Sequence, residues 1–221
     1  MKTDMRLKSI DSLIFDMDGT LWNATSSYAK IWNHTCKSFG FEVEFTGEQL
    51  VPFMGMSLDD IMRHLVGDNF CVREEDFLKE LESTENRLMP SLGGVLYPGV
   101  IEGMQHLKEH FRLFMLSNCS TNGLKNFTTY TDTTTLFEGL LSQGERYASK
   151  SENLSFLKDK YSLLNPLYVG DTQADCDQAH GAGMLFAFAT YGFGTCEDPD
   201  FSFNNFKELS SCLIDSKECD L

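Results

Sequence analysis

The chain has 221 residues, 42% of them hydrophobic and 23% charged, enough to bury a substantial core as one domain with an insertion or as two small domains. A formal net charge of -15 repels nucleic-acid backbone and anionic membrane, and no run of Lys and Arg offsets it, so neither is an expected partner. Phosphate esters are repelled too, so a site for them needs locally concentrated positive charge, which a divalent cation supplies.

The opening residues 1–12 lack the apolar stretch of a secretory leader, and no run approaches the ~20 apolar residues that span a bilayer. The seven cysteines (Cys36, Cys71, Cys119, Cys176, Cys196, Cys212 and Cys219) are odd in number and scattered. They form no C-x-x-C pair, and the histidines show no metal-ligand spacing with them. Free thiols and a cytoplasmic location are expected, and structural zinc is not.

The first predicted strand, Ser12-Leu13-Ile14-Phe15, runs directly into Asp16-Met17-Asp18-Gly19-Thr20-Leu21. In extended chain Asp16 and Asp18 point to the same side. Two carboxylates converging at a strand end are costly unless a cation or proton lies between them. Gly19 lets the backbone turn sharply there. Asp and Gly are also common turn formers, but a strand followed by D-x-D-G-T-[LV] is far more specific than D-G alone.

Roughly 70 residues then separate this strand from the helix after Tyr97-Pro98-Gly99, where a crossover needs only a dozen or more. The segment reads as helical. Ile31, Trp32, Cys36 and Phe39 share a face; Ser57 with Asp60 resembles a capping box before Leu58, Ile61, Met62 and Leu65; and Phe77, Leu78, Leu81 and Leu88 form a third stripe. The expected organisation is a small helical domain, residues 22–92, inserted into an α/β core of residues 1–21 and 93–221. A longer Rossmann-like crossover is the alternative.

Val100, Met104 and Leu107 mark the next helix, and Arg112–Leu116 the second strand. That strand ends in Ser117-Asn118, where a hydroxyl and backbone N–H groups ahead of a helix can hold phosphate oxygens, although Ser-Asn is also a frequent helix start. Leu140–Ser142 is the third strand. Lys150 follows it, just before a helix carrying Leu154, Leu157, Tyr161 and Leu164, with Ser151 as its expected N-cap. A surface lysine is the plain reading of Lys150; its place at the same sheet edge favours neutralising a phosphate.

The fourth strand, Pro166–Val169, leads into Gly170-Asp171-Thr172-Gln173-Ala174-Asp175. Asp175 alone reads as a helix cap, but four residues beyond Asp171 it faces the same pocket. With Asp16 and Asp18 the two complete an oxygen-rich set suited to Mg²⁺. Leu185–Ala189 is the fifth strand. Apolar runs that are continuous rather than alternating, separated by helices, define a doubly wound parallel α/β sheet with ligands beyond the strands' carboxyl ends. Trp22, Trp32 and the 18 Phe read as core, and nothing in the context of Cys119 requires a role for it.

These elements, in this order, resemble the haloacid dehalogenase superfamily of hydrolases over nearly the whole chain. Asp16-Met17-Asp18-Gly19-Thr20, Ser117, Lys150 and Gly170-Asp171-Thr172 with Asp175 fill its four motif positions. Met54-Gly55-Met56-Ser57 and Tyr191-Gly192-Phe193-Gly194 add a likeness to its phosphoglycolate phosphatase-like members. The resemblance implies Asp16 as nucleophile and Asp18 as acid and then base. It places Mg²⁺ on the Asp16 carboxylate, the Asp18 backbone carbonyl and Asp171, with Asp175 behind them. Ser117, Asn118 and Lys150 bind the phosphoryl group, and the insertion acts as a cap. Lys150 lacks the family's common Gly-Lys-Pro setting.

The implied reaction is hydrolysis of a small phosphorylated metabolite by a monomer or homodimer. The alternatives are a phosphomutase acting on a sugar phosphate and a non-catalytic phosphoacceptor or binding protein. A dehalogenase needs no second aspartate, so Asp18 with Asp171 argues against it.

Overall fold

The computed structural model describes residues 5–67, 70 and 72–218; Cys71 and Cys219 lie outside them. Six parallel strands form the central sheet, in the order β5-β4-β1-β6-β7-β8. They are β1 (Ser12–Phe15), β4 (Arg112–Ser117), β5 (Gly139–Ser142), β6 (Pro166–Gly170), β7 (Leu185–Ala189) and β8 (Phe201–Phe203). A separate antiparallel pair, β2 (Trp22–Asn23) and β3 (Val95–Leu96), brackets the long insertion.

The sheet is covered on both faces, as its continuous apolar runs require. Leu13, Phe15, Leu113, Met115, Leu167 and Val169 enter one hydrophobic cluster. Their neighbours Ile14, Phe114, Leu116, Tyr168 and Phe186 enter the other. Each of the larger of these side chains contributes about 1.5–3 kcal/mol on burial.

The helices, in chain order, are α1 (Met5–Lys8), α2 (Thr25–Ser38), α3 (Gly47–Leu50), α4 (Leu58–Val66), α5 (Glu74–Leu92), α6 (Val100–Leu107), α7 (Gly123–Thr131), α8 (Gln143–Arg146), α9 (Lys150–Tyr161), α10 (Gln173–Gly181) and α11 (Phe206–Glu218). On one face Val100, Met104 and Leu107 of α6 meet Phe206, Leu209 and Leu213 of α11. On the other, Leu154 and Leu157 of α9 lie with Cys176 and Ala179 of α10.

The insertion between β2 and β3 is helical. There α2 packs on α5, and α5 on α7 of the sheet layer. Phe77 is fully buried, with ring centroids 5.1 Å from Phe39, 5.6 Å from Phe41 and 5.5 Å from Phe70.

All five expected strands form, with ends within one residue of those expected, and Ser57 caps α4 as its spacing predicts. Three details differ. Helix α9 begins two residues early: its N-cap is Ser149, whose hydroxyl accepts from Glu152 N at 3.2 Å while the Glu152 carboxylate accepts from Ser149 N at 2.9 Å. Ser151 therefore lies inside the first turn. At the other end Ser162 adopts a left-handed conformation and stops the helix before Leu164, which is exposed. The sixth strand, β8, had no expectation, because three residues after a Gly- and Asp-rich loop are too few to show a pattern. Among the described residues no helix is long and apolar enough to cross a membrane, and Cys36, Cys119, Cys176, Cys196 and Cys212 are free.

Candidate active site

The two central strands carry the acidic motifs to one edge. Strand β1 pairs with β4 on one side and β6 on the other, Phe15 facing both Met115 and Val169. Asp16 continues the ladder by donating its N–H to Val169 O at 2.8 Å. Its carboxylate is thereby set beside Asp171 and Asp175 from the end of β6. All three are buried, and each offers an oxygen within 4.8 Å of the others.

Lys150, the first residue of α9, is buried rather than on the surface. Its ammonium donates to Asp16 Oδ1 at 3.1 Å and to Asp175 Oδ1 at 2.6 Å. Burial opposes its charge, but Asp16 and Asp175 hold its pKa well above the usual lysine value. Burial likewise works against an ionised Asp175, yet Lys150 and the Thr172 hydroxyl keep it below the usual carboxylate range. Asp16 moves the other way: burial, with Asp175 adding to it, pushes it up to about 6 against the pull of Lys150. Asp171 is also raised, by burial and then by Asp175 and Asp16. Three carboxyls around one ammonium leave an excess of negative charge that burial makes costly. A hard, oxygen-seeking dication is the group that such a donor set fits.

The backbone is shaped around Asp171. Gly19 has φ +81°, and a Cβ there would overlap the Asp171 carboxylate; a Cβ on Gly192 would also overlap Asp171. Phe193 N donates to Asp171 Oδ2 at 2.7 Å. The Tyr191–Gly194 stretch thus forms a wall of the site, and Asp175 closes a capping box with Thr172 at the start of α10.

Asp18 is oriented differently from the other three. Trp22 Nε1 donates to its Oδ1 at 3.0 Å and the Tyr28 hydroxyl to its Oδ2 at 3.1 Å. Burial, and next the charge of Asp16, push it up to about 8, which favours its protonated form near neutral pH in the metal-free protein. Its carboxylate is not part of the three-aspartate cluster.

Ser117, at the end of β4, is buried and lies close enough to Asp16 to favour its ionised form. The Asn118 side chain turns away to the insertion, donating to Gly55 O at 2.9 Å. A narrow cavity of about 50 Å³ opens between sheet edge and insertion. Asp16, Asp18, Ser117 and Asn118 form its floor; Met54, Met56 and Ile61 come from the insertion, together with Tyr28, Trp32 and Glu85. Cys119 also lines it. Burial and the neighbouring Asp18, Asp16 and Glu85 raise its thiol well above the usual value, which disfavours a reactive thiolate.

Sequence reasoning missed Tyr28 and Glu85 and read Trp22 and Trp32 as core alone. The tryptophans are core, but each also spends its indole N–H on a carboxyl, Trp22 on Asp18 and Trp32 on Glu85. The one signal in the chain for Glu85 is a glutamate among Phe77, Leu81 and Met89 on the buried face of α5.

Fold and site together define a class. A family model for haloacid dehalogenase-like hydrolases matches residues 13–189, and the chain belongs to that family. Among named relatives, the phosphoglycolate phosphatase of Colwellia psychrerythraea is 29% identical over 93% of this chain and 97% of its own length. That of Rhodobacter capsulatus is 25% identical over 82% and 85%. A haloacid dehalogenase-like hydrolase structure from Streptococcus pneumoniae shares the fold with a TM-score of 0.79 at 18% identity, covering 92% of this chain and 98% of that one.

Proposed function

We propose that the protein is a cytoplasmic, Mg²⁺-dependent phosphatase that hydrolyses a small phosphate monoester through an aspartyl phosphate on Asp16. The observation that carries this reading is the buried Asp16–Lys150–Asp175 triad with Asp171 beside it, at the carboxyl ends of β1 and β6. The phosphatase names of the relatives support the same reaction.

Mg²⁺ would be held by the Asp16 and Asp171 carboxylates and the Asp18 backbone carbonyl. Asp175 is already engaged by Lys150 and Thr172 and lies behind them. When bound, the ion neutralises charge on the phosphoryl oxygens. Asp16 Oδ2 attacks phosphorus while Lys150 holds Oδ1, and Ser117 and Lys150 stabilise the transferring oxygens. Asp18, already protonated, gives its proton to the leaving alcohol. Ionised by that transfer and steadied by Tyr28 and Trp22, it then takes a proton from the water that cleaves the acyl phosphate.

Residues 22–92 act as the cap over a core of residues 1–21 and 93–221, excluding water and meeting the leaving group. A monomer or a homodimer would suffice, since one chain supplies every named residue. A mutase would need a second phosphate site in the cap, and the described residues lining the cavity include no Lys, Arg or His.

Turnover of an aryl phosphate should require Mg²⁺, stop with chelator and disappear in Asp16→Asn, with that variant still folded by circular dichroism. Undiminished turnover in excess chelator would overturn the reading.

A further inference from the structure

Glu85 is a buried carboxyl that the phosphatase mechanism does not use. It sits on α5, is 6% exposed and lines the cavity, close enough to Asp18 to raise it further. Trp32 Nε1 donates to its Oε1 at 2.9 Å and the Ser120 hydroxyl to its Oε2 at 2.8 Å. Two donors use half of a carboxylate's acceptor capacity, and no described cation pairs with it. Burial raises its carboxyl above the ordinary range, as happens where a buried carboxylate lacks the cationic partner that would hold it ionised.

Beside Glu85 the stacked rings of Tyr28 and Trp32 lie 5.5 Å apart. Both have spent their polar hydrogens on carboxyls, which leaves ring surface for the cavity. Aromatic surface next to a carboxylate is the chemistry that binds organic ammonium groups.

The adjoining surface carries the same sign. A groove of about 680 Å³ shares Leu58, Asn118, Cys119 and Ser120 with the cavity and so lies beside it. Asp59, Asp60, Glu75 and Glu82 line it against Lys79, while Glu74 is paired with Arg63 at 2.5 Å. Fixed negative charge along a cleft disfavours an ester that brings a second anionic group more than one whose ammonium offsets its phosphate.

We propose that Glu85 is the specificity-determining residue of this site, and that it selects phosphate monoesters of small amino alcohols over those whose leaving group carries a carboxylate. The proposal rests on the phosphatase reading. The phosphoryl end of the substrate meets Lys150 and the cation set, and its ammonium end enters the Glu85–Tyr28–Trp32 corner. A glycolate leaving group would instead place a second anion against Glu85 with no countercharge.

The test compares three esters of similar size on the Mg²⁺-loaded enzyme: 2-aminoethyl phosphate, 2-hydroxyethyl phosphate and phosphoglycolate. The expected kcat/KM for the aminoethyl ester exceeds that for phosphoglycolate by about tenfold or more, and Glu85→Gln lowers that ratio by a similar factor, with the neutral ester between. Gln can still accept from Trp32 and donate to Ser120, and a ratio within one preparation cancels general losses of activity. A wild-type ratio of one or less, or a ratio unchanged in Glu85→Gln, overturns the proposal. Inhibition of the intact enzyme by ethanolamine against glycolate reads the same preference without a variant, and stronger inhibition by glycolate contradicts it. Aryl phosphate turnover alongside separates the two claims. If it is present with a ratio of one or less, only the role of Glu85 fails; if it is absent, the phosphatase reading fails as well.

Discussion

Gly19 shows how closely the site is built. Its positive φ disfavours any side chain, and a Cβ would press on the carboxylate of Asp171, so Gly19→Ala strains the turn and displaces a proposed ligand together. Because displacements near 1 Å can cost about 10²-fold in rate, kcat/KM for an aryl phosphate should fall by at least that order. A loss under threefold would show that the turn tolerates a side chain. Tyr28 acts more narrowly. Its hydroxyl stabilises ionised Asp18, so Tyr28→Phe should raise the Asp18 pKa further above about 8 in the metal-free protein. A carboxyl-selective NMR titration reads the direction, and a downward shift would contradict it. Asp16, Asp18 and Asp171 were legible in the sequence because they follow strands in tight motifs. Tyr28 was not, since a tyrosine within a helix has the same appearance whether it faces solvent or a cavity, and Glu85 left only its place in register with Phe77, Leu81 and Met89.

Elements were legible in proportion to their length and apolar character. The five strands of the inner sheet stand out because both of their faces are buried. The two-residue strands β2 and β3, and three-residue β8, are held by their partners rather than by any pattern of their own. The insertion was visible as three helical stripes, but not its manner of attachment, which depends on α5 against α7 and on hydrogen bonds such as Asn118 to Gly55, Tyr28 to Asp18 and Ser120 to Glu85. Within it Phe77 is the packing centre. Phe77→Ala should cost about 3–5 kcal/mol by denaturant unfolding. A loss below about 1 kcal/mol would mean that the insertion repacks freely around the vacancy.

Across the whole molecule, the buried carboxyls link stability to pH and to metal. Asp16 and Asp18 are raised to about 6 and about 8, and Asp171 is raised as well, so the folded state binds more protons than the unfolded chain over this range. Stability of the metal-free protein should therefore fall as pH rises from about 4 to 8. Asp11, Asp175 and Asp200, whose values are lowered, have the opposite effect only below their ordinary range, outside this window. Mg²⁺ should raise the melting temperature, and more at pH 8 than at pH 5, where protons compete for the same oxygens. An equal shift at both pH values would detach the cation from these carboxyls. The claim on which the rest depends is covalent attack by Asp16. Enzyme acid-quenched during turnover and mapped by peptide mass spectrometry should carry a phosphoryl group on Asp16 and on no other residue, and Asp16→Asn should carry none. A phosphoryl group on Ser117, or turnover with no labelled residue, would contradict it.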